Sequence, residues 1–126
     1  MTAIKEANQA FVNKINPCVI CCYEVDCDHL IDLRTEAGRL EVGTSEEILA
    51  AAWLSFLTSR KEPPQWELVR RLTHGGVAGV LVPSFVVGAQ PTDQNLVLWD
   101  WGAALPHKVT VFDPTGRLPK NQLSWW

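Results

Sequence analysis

The run Gly79-Val80-Leu81-Val82-Pro83-Ser84 constrains the fold more than any other stretch of the chain. Apolar, β-branched residues in a short block form a buried strand. A proline then closes the block, and it has no amide hydrogen to give to a ladder. The pattern predicts a buried strand whose exit pushes the Ser84 hydroxyl onto a rim where a ligand can meet it. Just upstream, Leu68, Val69 and Leu72 repeat at helical spacing until Gly75-Gly76. A helix ahead of the glycines and a strand behind them is the reverse of a dinucleotide-binding loop, in which a strand feeds the glycines and a helix N-terminus meets the pyrophosphate. These glycines therefore read as a helix stop.

The same periodicities organise the remainder. Thr2 is placed to cap a helix with an apolar stripe of Ile4, Ala7 and Phe11, which Asn16-Pro17 ends. Glu6 lies off that stripe, beside the small residues Ala3 and Ala10. Residues 18–25 carry the pattern of a strand buried on both faces. A polar turn, Asp26-Cys27-Asp28, follows, then a short strand around Leu30–Leu33. The stretch from Thr44 to His74 is helical with an interruption at Pro63-Pro64; Thr44 or Ser45 starts it, and Ile48, Ala51, Ala52 and Trp53 supply its apolar face. Val77–Val82, Asn95–Trp101 and Lys108–Phe112 are extended, and Asp113-Pro114-Thr115-Gly116 is a turn by composition. Helix, strands, helices, strands is the order of an α+β domain rather than a doubly wound parallel sheet.

A chain of 126 residues fits one compact domain with a single core. Its 47% hydrophobic and 20% charged residues are globular proportions. No apolar run is long enough to cross a bilayer. A net charge of -3 without a stripe of Lys and Arg excludes a phosphate-backbone partner, so no direct nucleic-acid binding is expected. The first residues carry Lys5, Glu6, Asn8 and Gln9 rather than a basic flank and an apolar stretch, which points to a cytoplasmic protein.

Four cysteines cluster at Cys18, Cys21, Cys22 and Cys27, and the first pair has zinc-ligand spacing. On a strand, however, Cys18 and Cys22 face one way and Cys21 the other, so these read as reduced core thiols. His29, His74 and His107 share no metal spacing. Asp26, Asp28 and Asp32 lack the glycine and terminal glutamate of a calcium loop and read as a solvated turn. No metal site is expected. Val82-Pro83-Ser84-Phe85-Val86 is not the glycine-flanked elbow of a serine hydrolase, so Ser84 is not read as a nucleophile. Trp53, Trp66, Trp99 and Trp101 read as core residues and Trp125-Trp126 as part of a subunit contact.

Taken together, Thr2-Ala3-Ile4-Lys5-Glu6, Asp32-Leu33, the Ser84 and Asn95 segments, Asp113-Pro114-Thr115-Gly116-Arg117-Leu118-Pro119 and Ser124-Trp125 resemble the RES domain, a family named for an arginine, a glutamate and a serine. The resemblance runs over 1–126. The family's arginine lies upstream of its glutamate motif, and the chain opens inside that motif, so the expectation is about the C-terminal three quarters of such a domain.

The resemblance implies a compact fold like that of ADP-ribosylating toxins. It implies an NAD-consuming toxin of a toxin–antitoxin pair, inhibited by a helix-turn-helix antitoxin of the Xre type and self-associating as a homo-oligomer. Glu6 is then the catalytic carboxylate that stabilises a ribosyl cation as the nicotinamide–ribose bond breaks. Ser84 orients the nicotinamide-ribose end of NAD, and Asn95 is a further binding residue. The acceptor stays open: water or phosphate makes a glycohydrolase or phosphorylase, and a protein side chain makes an ADP-ribosyltransferase. A noncatalytic binding remnant is the other reading, because a phosphate-gripping arginine contributes about 1.5–3 kcal/mol per charge-assisted hydrogen bond. Arg34 and Arg117 are the arginines that the sequence offers in its place.

Overall fold

The computed structural model describes residues 1–10 and 19–118. In chain order the elements are helix α1 (Thr2–Ala10), strands β1 (Cys22–Cys27) and β2 (Leu30–Asp32), helices α2 (Glu36–Glu41), α3 (Glu46–Leu49), α4 (Trp53–Thr58) and α5 (Pro64–His74), and strands β3 (Gly79–Pro83), β4 (Gln94–Leu98) and β5 (His107–Phe112). The architecture is α+β, as the order of the patterns predicts. The expected subunit contact at Trp125-Trp126, the end of the first helix at Asn16-Pro17, and Cys18 lie outside the described residues.

Two sheets divide the strands. β2, β3 and β4 form a mixed sheet in that order, with β2 parallel and β4 antiparallel to the central β3. The helices α2 to α5 make the crossover that a parallel β2–β3 pair requires. Leu33, Leu68, Leu72, Val77 and Val80 form the buried cluster between this sheet and α5, with Ile31, Val42, Leu49, Val82 and Trp99 packed around it. α5 starts at Pro64, which presets its first φ, and ends at Gly75, followed by Gly76 at φ +79, a value that favours glycine. Gly79 is required for a different reason: a Cβ there would run into the Val97 carbonyl and the Leu98 side chain across the ladder.

β1 and β5 pair antiparallel as a separate ribbon, from Cys22 opposite Phe112 to Cys27 opposite His107. Here the structure corrects the sequence reading. β1 is exposed on both faces rather than buried on both, because β5 is its one partner among the described residues. Cys21 and Cys22 are therefore exposed free thiols, not core residues, and Cys27 is half-buried. Asp26 and Cys27 belong to the strand, and the bend comes at Asp28-His29.

The helical middle differs in two ways. It breaks into α3, α4 and α5, with Ser45 rather than Thr44 capping α3 by accepting the Ile48 amide. Its apolar face is only partly used, since Trp53 is 53% exposed. Trp66 and Trp101, at 48% and 62%, are not core residues either. Trp99 alone of the four packs on the core, and its indole N–H donates to the Val77 carbonyl. α2 carries no long apolar repeat; Thr35 caps it by accepting the Gly38 amide, and Gly38 lets the helix approach the Asp32 carbonyl more closely than a Cβ would allow.

Candidate active site

β3 and β4 are joined by residues 84–93, a loop closed at its base where the Ser84 amide donates to the Asp93 carbonyl at 3.0 Å. The ladder thus reaches one residue past Pro83, which pairs with Gln94 and forfeits only its own donor. Ser84 is consequently not on an open rim. It is 8% exposed, covered by α1.

α1 docks by its polar side. Ile4 and Ala7 of the expected apolar stripe are exposed, whereas Thr2, Lys5 and Glu6 turn inward. The Thr2 hydroxyl donates to Asp93 Oδ1 at 2.6 Å, so it anchors the helix to the loop rather than serving as the expected cap. Lys5 Nζ donates to Asp93 Oδ2 at 2.6 Å, an ion pair, and to the Gly88 carbonyl at 3.4 Å. The Gln90 amide also donates to Oδ2, at 2.8 Å. These contacts, led by the Gln90 amide and followed by Lys5 and Thr2, hold the Asp93 carboxyl well below the usual carboxylate range.

The consequence of this docking is the position of Glu6. Ser84 Oγ donates to Glu6 Oε1 at 2.6 Å, and Asn95 Nδ2 donates to the same oxygen at 2.6 Å. Hydrogen bonds to an ionised acceptor are short and strong, and two of them fix the plane of the carboxylate. Glu6 Oε2 has no hydrogen-bond partner among the described residues. Ser84 Oγ also accepts the Val86 amide, weakly, at 3.5 Å. The three residues singled out from the sequence thus meet, delivered by a helix, a loop and a strand. Asn95 lies within β4, opposite Val82.

A cleft of about 950 Å³ opens beside them. Its floor is one face of the mixed sheet, where strand alternation brings Val80 and Val82 of β3 beside Asn95 and Val97 of β4, with Trp99 beyond. Its wall comes from α3, α4 and α5, and Glu6 stands at its edge. Ligand pockets commonly span about 300–1,000 Å³, and an apolar lining with a few convergent polar groups is their usual composition. Among the described residues, Glu6 is the one ionisable side chain in that lining.

Neither candidate arginine joins it. Arg34 is engaged with Asp32, Nε to Oδ1 at 2.8 Å and Nη2 to Oδ2 at 2.7 Å, and with the Gln94 side chain. Gln94 precedes Asn95 on β4 and so points to the opposite face of the sheet. The Arg34 guanidinium lowers the Asp32 carboxyl to about 2. Arg117 sits in the exposed turn after β5, where its amide donates to Asp113. Among the described residues no group of three His, Cys, Asp or Glu side chains is placed to hold a metal. Among the described residues no helix is long and apolar enough to cross a membrane.

A family model described as the RES domain matches residues 1–121. The chain belongs to the RES domain family. No curated protein and no solved structure matches it. In this RES domain the glutamate and serine of the family resemblance, Glu6 and Ser84, are in direct hydrogen-bond contact across 78 positions of sequence. Sequence reasoning did not find the groups that bring them together. It does not single out Asp93 at all, and it reads Thr2 and Lys5 only as helix and N-terminal residues; the signal was the spacing of Thr2, Lys5 and Glu6, which puts three polar groups on one side of a short helix.

Proposed function

We propose that this RES domain cleaves the nicotinamide–ribose bond of NAD in the cleft beside Glu6. The observation that carries the reading is the shared Glu6 oxygen: Ser84 and Asn95 both donate to Oε1, which leaves Oε2 for a ligand. In the reaction the electron pair of the bond from C1′ to the pyridinium nitrogen passes to that nitrogen, and neutral nicotinamide departs. Positive charge builds on the ribosyl carbon and ring oxygen, where an immobilised carboxylate stabilises it without reorganising. Water then bonds to C1′ and releases a proton to solvent, giving ADP-ribose. Phosphate in place of water makes the reaction a phosphorolysis. Ser84, buried and outside the cleft lining, orients the substrate through the carboxylate it holds, by donating to Glu6 Oε1. An antitoxin of the Xre type that covers the cleft, and a homo-oligomer, are the partners that accompany this reading.

A binding role without turnover is the second reading, favoured by the cleft lining, in which the described residues supply no cation for a diphosphate. Proton NMR of NAD incubated with the protein and with Glu6→Gln separates the two. Free nicotinamide that appears with the parent, and at least about a hundredfold more slowly with the variant, upholds cleavage. Saturable NAD binding without nicotinamide release transfers the conclusion to the binding role.

A further inference from the structure

The Asp93 carboxylate is nearly buried, makes no hydrogen bond to Glu6 and is not part of the cleft lining; besides the Gln90 amide within its own loop, its partners are two residues of α1. Its side chain reaches up to α1 through Thr2 and Lys5, and Lys5 is the chain neighbour of Glu6. Its backbone carbonyl holds the Ser84 amide, and Asn95 follows two residues later on β4. One residue therefore links the acceptor Glu6 to both of its donors. Among the described residues, the other polar contacts that hold α1 here are the two hydrogen bonds accepted by Glu6 itself and a long one from Lys5 to the Gly88 carbonyl, while Ile4 and Ala7 face outward.

We infer that Asp93 is a positioning residue that sets Glu6 against Ser84 and Asn95 by clamping α1 to the loop 84–93. The inference rests on the proposed role of Glu6 for its effect on turnover, but the clamp itself is independent of NAD. Loss of the Asp93 charge frees the first turn of α1. Glu6 then samples positions away from Ser84 and Asn95, while the ribbon of β1 and β5 is untouched.

The test is Asp93→Asn in the full chain, read in two ways. First, solvent exchange of the Asn95 side-chain amide protons, followed by NMR, accelerates by about tenfold or more when Glu6 leaves them, whereas the Val109 amide in β5 does not change. Second, nicotinamide release falls by about tenfold or more, and in a Glu6→Gln background the Asp93→Asn change adds no more than about twofold. A purely structural role lowers both backgrounds alike. If the Asn95 protons stay protected, or the losses with Glu6→Gln multiply, the inference is overturned. If the parent protein releases no nicotinamide, the exchange measurement alone decides: lost protection upholds the clamp while the NAD reading falls. Should Asp93→Asn fail to fold, the pair Thr2→Val with Lys5→Met cuts the same link from the helix side and carries both readouts.

Discussion

Asn95 and Glu6 are 89 positions apart in sequence and 2.6 Å apart in space, the amide of one donating to the carboxylate of the other. Together with Ser84 this makes a carboxylate whose direction is set before any ligand arrives. The two donors act on one oxygen, so they are not independent contributors.

Replacement of either donor tests that arrangement. Ser84→Ala and Asn95→Ala each remove a hydrogen bond to a charged group, about 1.5–3 kcal/mol, which corresponds to a loss of about tenfold to a hundredfold in nicotinamide release. The double variant loses less than the product of the two, since both act through Glu6 Oε1. A double-mutant cycle on turnover checks this, and losses that simply multiply contradict the shared-oxygen account.

Acid affects the two faces of the mixed sheet over different ranges. The folded Asp32 carboxyl sits at about 2, against about 3.9 for an unperturbed aspartate, so its pairing with Arg34 stabilises the fold above about pH 4 and is lost as pH falls from there toward 2. Asp93 is lowered further, so the docking of α1 also begins to weaken below about pH 4 but persists to more acid conditions. The carboxyl carbon shifts of the two aspartates, followed by NMR against pH, are expected to move in that order, Asp32 first and Asp93 in stronger acid. Because that pair is well exposed, salt weakens it more than the Asp93 clamp.

Tryptophan fluorescence distinguishes the residue that supports the core from its exposed relatives. Trp99→Phe gives up a hydrogen bond to the Val77 carbonyl and some packing, at a cost of about 1–3 kcal/mol in urea unfolding. Trp66→Gln and Trp101→Gln are expected to stay within about 0.5 kcal/mol of the parent. Iodide quenches emission from the exposed pair and largely spares Trp99.

Gly79→Ala is expected to be severe for its size. The added methyl meets the Val97 carbonyl, which is backbone and cannot swing aside, as well as the Leu98 side chain, and overpacking of this kind costs about 1–3 kcal/mol. A shift of the urea midpoint with an unchanged slope is the expected signature.

What the chain discloses by pattern and what it withholds follow from different physics. Gly75-Gly76, the strand after it and the prolines that open α5 are local signals, and they place β3 and α5 within a residue or two. The burial of β1 is not local: a run such as Cys22-Tyr23-Glu24-Val25 has the alternation of a strand, but whether a second layer covers it depends on the rest of the fold. The tryptophans mislead for the same reason, since a helical repeat assigns a face without saying what lies opposite. Glu6, Ser84 and Asn95 are named from the family resemblance, and the structure brings their side chains into contact. Asp93 is not legible in this way, because its importance lies in joining a helix and a loop that are far apart in sequence.

The pinch between Ser84 and Asp93 also divides the loop 84–93 into a base hydrogen-bonded to α1 and a tip that reaches solvent. Val87 stands at that tip, 99% exposed. A cysteine placed there, in a chain whose exposed Cys21 and Cys22 are replaced by serine, would take a dye next to Val86 of the cleft lining without touching the carboxylate. The molecule thus carries a mounting point for a reporter of its own loop, on the far side of a single backbone hydrogen bond.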